Sequence, residues 1–240
     1  MSYIEGFVAA VPAANKEIYR RHAAEAVPLF KSLGATRMVE TWADDVPDGK
    51  LNDFKGAVKA KPDEVVVFSW VEYPSKAVRD TANAKMTSDP NVQSMSETMP
   101  FDGKRMIWGG FSILVEARNG RAGPTGYVDG CLIPVKAEDR ARFETFAQEM
   151  AAVFKDHGAL RVVDAWGDDL PDGKVTDYRR AVLAEDGETV VYGWVEWPSK
   201  EVRARGWEKV MADPRLQSED RQAPFDGRRM VYGGFAPIVD

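Results

Sequence analysis

The chain has 240 residues, 44% of them hydrophobic and 29% charged, with a formal net charge of −6. This balance belongs to a folded globular protein and excludes a disordered or fibrous one. The acidic excess argues against a broad electrostatic attraction to nucleic acid or to an anionic membrane. The longest apolar runs, such as Val65-Val66-Val67-Phe68, are strand-length and far short of the roughly 20 residues of a membrane span. The opening Met-Ser-Tyr-Ile-Glu-Gly lacks a basic region and places Glu5 where an export signal stays apolar. The single Cys131 forms no disulfide within the chain. Both features point to a reducing, cytoplasmic setting.

In chain order, the first predicted element is a strand over residues 3–11, where Ile4, Gly6, Val8 and Ala10 alternate with Tyr3, Glu5, Phe7 and Ala9. Residues 14–33 change to helical spacing, with Ile18, His22, Ala26, Leu29 or Phe30, and Leu33 on one stripe that ends at Gly34. A second strand runs over 36–43 and stops at the turn Pro47-Asp48-Gly49. Asp53 is placed to cap a short helix carrying Phe54, Ala57 and Val58, although the spacing of Phe54, Gly56 and Val58 also fits a strand. Residues 65–73 form the clearest strand, rich in β-branched and aromatic residues and ended by Pro74. Ser75 caps a helix to about Met86, broken by Asp89-Pro90. The last strand, 105–115, carries Gly109-Gly110, where a bulge or a close backbone approach is expected.

This series is then repeated. At an offset of 124 positions the chain superposes on itself without a gap, from Tyr3 on Tyr127 to Phe111 on Phe235. Trp42-Ala43-Asp44-Asp45-Val46-Pro47-Asp48-Gly49-Lys50 meets Trp166-Gly167-Asp168-Asp169-Leu170-Pro171-Asp172-Gly173-Lys174, and Pro100-Phe101-Asp102-Gly103 meets Pro224-Phe225-Asp226-Gly227. The order β-α-β-β-α-β is that of ferredoxin-like folds. The expected fold class is α+β, with two tandem ferredoxin-like modules, residues 1–116 and 127–240, joined by a Gly/Pro-rich linker at 117–126. Each module leaves one sheet face bare of helices. The expectation is that the two sheets pack face to face as a barrel-like pseudo-dimer.

Small residues in the first strand suggest that Ile4, Gly6 and Val8 lie under a helix. Alternation then assigns Tyr3, Glu5, Phe7, Met38, Glu40, Trp42, Phe68, Trp70, Glu72, Met106 and Trp108 to the inter-sheet face. The second copy contributes Asp129, Cys131, Asp164, Trp166, Tyr192, Trp194, Glu196 and Tyr232. Two readings stand for this mixture of aromatics and carboxylates. A desolvated carboxylate can act as a general base, or bind a cation with help from the rings. Alternatively, Glu72 sits at a strand end in water and Glu5 and Glu40 form structural ion pairs with Arg37, Arg105 or a lysine of the partner sheet. His22 and His157 read as a packed histidine and a helix-end histidine. No His/Cys/carboxylate set has metal spacing, and no phosphate loop, dinucleotide fingerprint, nucleophile elbow or zinc-protease motif is present. The reading names no cofactor and no metal. The partner expected is a small molecule between the sheets, with a filled, non-catalytic interaction module as the alternative.

Each half also resembles the DUF1428 (YbaA-like) family of uncharacterised bacterial proteins. The resemblance rests on Tyr3-Ile4-Glu5-Gly6-Phe7, the Trp42–Lys50 segment, Phe68-Ser69-Trp70-Val71-Glu72-Tyr73-Pro74-Ser75-Lys76 and Met99-Pro100-Phe101-Asp102-Gly103-Lys104-Arg105-Met106. It implies a dimeric α/β-barrel fold. It implies no activity and carries over no catalytic residue.

Overall fold

The alternating segments become strands and the 3.6-periodic segments helices in a computed structural model that describes residues 2–88, 99–120, 123–217 and 222–240. The elements are β1 (Tyr3–Pro12), α1 (Lys16–Ser32), β2 (Arg37–Asp45), α2 (Phe54–Ala57), β3 (Glu64–Tyr73), α3 (Lys76–Ser88) and β4 (Ile107–Arg118). The second copy supplies β5 (Tyr127–Lys136), α4 (Arg140–Asp156), β6 (Arg161–Asp169), α5 (Tyr178–Ala181), β7 (Glu188–Trp197), α6 (Lys200–Met211) and β8 (Val231–Val239). The Asp53 carboxylate caps α2 by accepting from the Gly56 amide at 2.6 Å, and Asp177 caps α5 through the Arg180 amide at 2.8 Å. Ser75 and Ser199 accept from the amides of Val78 and Val202. The expected break at Asp89-Pro90, and Arg121-Ala122 within the expected linker, lie outside the described residues.

The eight strands close into one antiparallel barrel in the order β1-β3-β2-β8-β5-β7-β6-β4. The seams between the two halves are β2 with β8 and β4 with β6. Among the described residues closure leaves no strand edge unpaired, which removes the usual route to edge-to-edge aggregation. The glycine pair in β4 does mark an irregularity. The register against β6 shifts between Gly110 and Phe111, and a Cβ on Gly110 would lie 2.1 Å from the Arg79 guanidinium.

Cross-strand partners share a face, so the pairing of Gly6 with Trp70, Val8 with Phe68 and Ile4 with Glu72 puts that set of β1 inside the barrel. This reverses the expectation for β1, β2 and β4. Tyr3, Glu5 and Phe7, with Met38, Glu40 and Trp42 on β2 and Trp108 on β4, lie on the outer, helix-covered face. Gly6 and Gly130 are small because aromatic rings cross them from the opposite wall. A Cβ at Gly6 would meet Tyr192 at 2.8 Å, and one at Gly130 would meet Phe68 at 2.9 Å. On α1, Ala26 is buried as expected, while Tyr19 and Ala23 are buried in place of Ile18, which is exposed, and His22, which is part-buried.

The barrel interior is filled. Phe68 stacks on Tyr192 with centroids 4.4 Å apart, and Trp70 lies 4.6 Å from Trp194. Phe54 and Tyr178, brought in by α2 and α5, pack edge-on against Phe235 and Phe111 at one end. At the other end sit four buried or part-buried charges. Arg161 makes a two-pronged contact with Glu72 at 2.5 and 3.0 Å, and Arg37 makes one with Glu196 at 2.9 and 3.1 Å. Each pair joins one half of the chain to the other. The Trp70 and Trp194 indoles donate to Glu72 and Glu196 at 3.1 and 3.0 Å. Burial acts to raise the Glu196 carboxyl, but hydrogen bonds and charge from Arg37 prevail and hold it below its usual range.

Two outcomes follow for urea unfolding. Arg161→Met leaves Glu72 without its main counter-charge and is expected to cost about 3–5 kcal/mol, with at least half recovered in Arg161→Met/Glu72→Met; equal losses in both variants would contradict the pairing. Gly130→Ala pushes a methyl into the Phe68 ring and is expected to cost about 1–3 kcal/mol, whereas Gly123→Ala, in open space, is expected to be near neutral.

Candidate functional site

The outer face of the second half meets α4 and α6 incompletely. Between them lies a cavity of about 410 Å³, within the size range of small-molecule sites. Its walls are mainly apolar: Phe143, Phe146, Ala147, Met150 and Phe154 from α4, Trp207 from α6, Ile133 from β5, and Phe225 and Met230 ahead of β8. Asp129, Cys131 and Asp164 project from the sheet as its floor, and Arg203 and Tyr232 stand at its margin. Amphipathic spacing explains the helix wall, since residues 143, 146, 147, 150 and 154 follow the three- and four-residue steps of one helical face.

The two carboxylates of the floor differ. Asp129 accepts from the indoles of Trp197 and Trp207 at 2.8 and 2.7 Å and from Arg203 at 2.8 Å. Burial pushes its carboxyl up, opposed by Arg203 and the two indoles. Asp164 is part-buried and has no hydrogen-bond partner among the described residues. Desolvation alone pushes it up to about 7. Burial likewise pushes the Cys131 thiol well up, with Asp164 and Asp129 adding to the effect. Cys131 therefore stays protonated at neutral pH and lacks the thiolate character of a nucleophile.

The first half shows what Asp164 lacks. Its counterpart Glu40 accepts from the Tyr19 hydroxyl at 2.6 Å and from the Ser69 hydroxyl. At the offset of 124, Tyr19 becomes Phe143, Ser69 becomes Gly193 and Glu40 becomes the shorter Asp164. Two hydroxyl donors and one methylene are absent from the same place, and the carboxyl is left bare beside the cavity. Phe7 to Cys131 removes further bulk from the floor. The equivalent region of the first half is a more open groove of about 320 Å³, bordered by Glu5, Phe7, His22, Asn83 and Trp108 and by three methionines.

The residues proposed from sequence are therefore divided. Asp129, Cys131, Asp164 and Tyr232 border the cavity, though on the outer side of the sheet, and Trp194 borders it from β7 while its ring packs on Trp70 inside the barrel. Phe68, Trp70, Glu72, Tyr192 and Glu196 do face the other half, but as filled core and ion pairs. Glu40, Trp42 and Trp166 are buried under the helices, and Glu5 and Trp108 border the first-half groove. The expectation of a ligand space between the sheets is overturned by the rings that fill it. Sequence reasoning missed the helix wall and Arg203. The signal that pointed to the site was the loss of both hydroxyl partners of one carboxylate between the two copies.

The aspartates at the ends of β2 and β6 have structural work. Asp44 and Asp45, at the end of β2, pair with Lys200 at 2.6 Å and Arg203 at 2.9 Å of the other half. Asp169 pairs with Arg79 at 2.5 Å, and the Tyr3 hydroxyl donates to Asp168. His157 at the end of α4 pairs with Asp213 at 2.7 Å. Among the described residues no cluster of three or more His, Cys, Asp or Glu is arranged to hold a metal, and no helix is long and apolar enough to cross a membrane.

A closed eight-stranded antiparallel barrel wrapped by helices, with a cavity between wall and helix, defines a protein of the dimeric α/β-barrel type. In this instance one chain closes the whole barrel. The chain belongs to the family described as proteins of unknown function, DUF1428, whose pattern matches twice, at residues 2–103 and 126–227. It is similar to the uncharacterised protein YbaA of Escherichia coli K12, and equally to that of Shigella flexneri, with 62% identity over 116 residues; the match spans 48% of this chain and 99% of the relative. Those relatives are thus one copy long. Among solved structures, the fold is similar to a candidate monooxygenase from Fusobacterium nucleatum, with TM-score 0.58 and 11% identity over 99% of this chain and 92% of that one. A second, from Lactobacillus acidophilus, has TM-score 0.53 and 10% identity over 99% and 94%. At such identities the likeness is one of fold.

The bare carboxyl has a measurable consequence. A carboxyl whose folded pKa is about 7, against an ordinary 3.8, binds an extra proton in the folded state, so stability falls as pH rises from about 4 to 7 and is level beyond. Asp164→Asn removes that penalty. Its melting temperature is expected to exceed that of the unmodified protein at pH 8 and to match it at pH 4; a constant difference at both pH values would contradict the raised pKa.

Proposed function

We propose that this protein binds, and in doing so positions for proton transfer, a small and largely apolar molecule in the cavity beneath α4. The two copies, 1–116 and 127–240 with 117–126 between them, act in this reading as the fused protomers of a barrel pseudo-dimer, one of which has kept a site. One observation carries the proposal: a carboxyl with no hydrogen-bond partner among the described residues and a pKa near neutrality lies at the floor of an apolar, ligand-sized cavity. Evolution of a stable core tends to pair or remove such a group. A carboxyl near pKa 7 is suited to take or give a proton at physiological pH.

The filled barrel agrees with a structural role for the inter-sheet space itself, and the proposal places no ligand there. The fold relatives, described as candidate monooxygenases, are compatible with small-molecule binding and lend no reaction to this chain.

The test is a thermal-shift screen of small aromatic and aliphatic compounds, with Trp207 and Trp194 fluorescence as a second readout. A ligand at about a hundred times its Kd is expected to raise Tm by roughly 5–10 °C. Ala147→Phe fills the cavity from α4. It is expected to keep or raise the unliganded Tm and to abolish the shift. A shift that survives in Ala147→Phe would place the ligand elsewhere.

A further inference from the structure

The first half carries an internal model of what the second half lacks. There, a phenol ring from α1 reaches the outer face of the sheet and its hydroxyl donates to Glu40 at 2.6 Å. The ring sits among aromatic neighbours, with Phe101 at 5.7 Å edge-on and Trp42 at 6.4 Å. In the second half the ring is retained as Phe143, packed against Phe225 at 6.0 Å, but the hydroxyl is gone. The Ser69 hydroxyl is gone with it, and the space beside the carboxyl opens into the cavity.

Resting on the cavity reading above, we infer that the ligand is a phenol or similar flat hydroxylated ring, whose hydroxyl donates to Asp164 where Tyr19 donates to Glu40 in the other copy. Two observations favour a neutral hydroxyl over an ammonium group. The native partners at the equivalent carboxylate are both hydroxyls. The second floor carboxylate, Asp129, is already occupied by Arg203 and two indoles, so one acceptor remains, enough for one hydroxyl. The walls favour a ring over an alkyl chain, because Phe143, Phe146, Phe154, Trp207 and Phe225 offer faces and edges for aromatic contact. The asymmetry also sets the stoichiometry. Glu40 is satisfied from within, so one such ligand is held per chain.

Calorimetric titration with 1-naphthol, with its methyl ether 1-methoxynaphthalene and with 1-naphthylmethylammonium tests the inference on the unmodified protein. The expected result is one naphthol bound per chain, at pH 8 about tenfold more tightly than the ether, the effect of one hydrogen bond to a charged acceptor. Asp164→Leu should bring naphthol and ether to equal affinity. Phe143→Tyr/Asp164→Glu, which rebuilds the first-half pair, should weaken naphthol, with circular dichroism to check that both variants fold. Equal binding of naphthol and ether by the unmodified protein, or tighter binding of the ammonium compound, would overturn the phenol assignment and leave the cavity reading standing. No binding by any of the three would overturn both.

Discussion

Four charges, three buried and one part-buried, at one end of a closed barrel constrain everything around them. Glu72 and Glu196 lie where water does not compensate a carboxylate, and each finds its principal counter-charge on a strand of the other copy, Arg161 and Arg37 respectively. A charge taken out of water is tolerated only when paired and hydrogen-bonded. Neither half of this chain is electrostatically complete without its partner. The pairs are exchanged across the barrel axis and are seated by Trp70 and Trp194, which donate to the same carboxylates while the guanidiniums lie over their rings. The registers of β2 with β3 and of β6 with β7 follow from this end inward, since Arg37 faces Glu72 and Arg161 faces Glu196 in the ladders.

The same reciprocity recurs further out. The recurring Asp-Asp segment at the end of β2 and β6 docks on a Lys and an Arg of the other half's helix and on a tyrosine of its first strand. The segment is a clasp between the copies. The halves differ inside the barrel, where Phe54 and Phe68 correspond to Tyr178 and Tyr192, and they differ again on the outer face beneath α1 and α4. On that outer face Tyr19 stands against Phe143, Ser69 against Gly193, Glu40 against Asp164 and Phe7 against Cys131. One copy has a satisfied carboxylate, the other a bare carboxyl beside a cavity.

Duplication accounts for how this asymmetry is tolerated. A protein made of two identical protomers changes both sites at once, so a substitution that strips a buried carboxylate of its donors is suffered twice. On one chain the cost falls on one half, while the barrel, the ion pairs and the clasps remain intact. The bare carboxyl of Asp164 is thus affordable in a way that two of them would not be.

The sequence by itself determined the duplication, the element order, the caps at Asp53 and Ser75, the irregularity at Gly109-Gly110 and the presence of aromatics and carboxylates on alternating faces, because these depend on local periodicity and on comparison of one copy with the other. It also contained the loss of two hydroxyls around position 164, visible once their shared partner is known. Only the tertiary structure decided which set of each strand faces inward. Alternation divides a strand into two sets and is silent on their direction, and a small residue such as Gly6 looks the same under a helix as under the Tyr192 ring of the far wall. The cavity was hidden for a related reason: it is a volume left between side chains of four strands, two helices and a loop, and empty space has no residue of its own in a sequence.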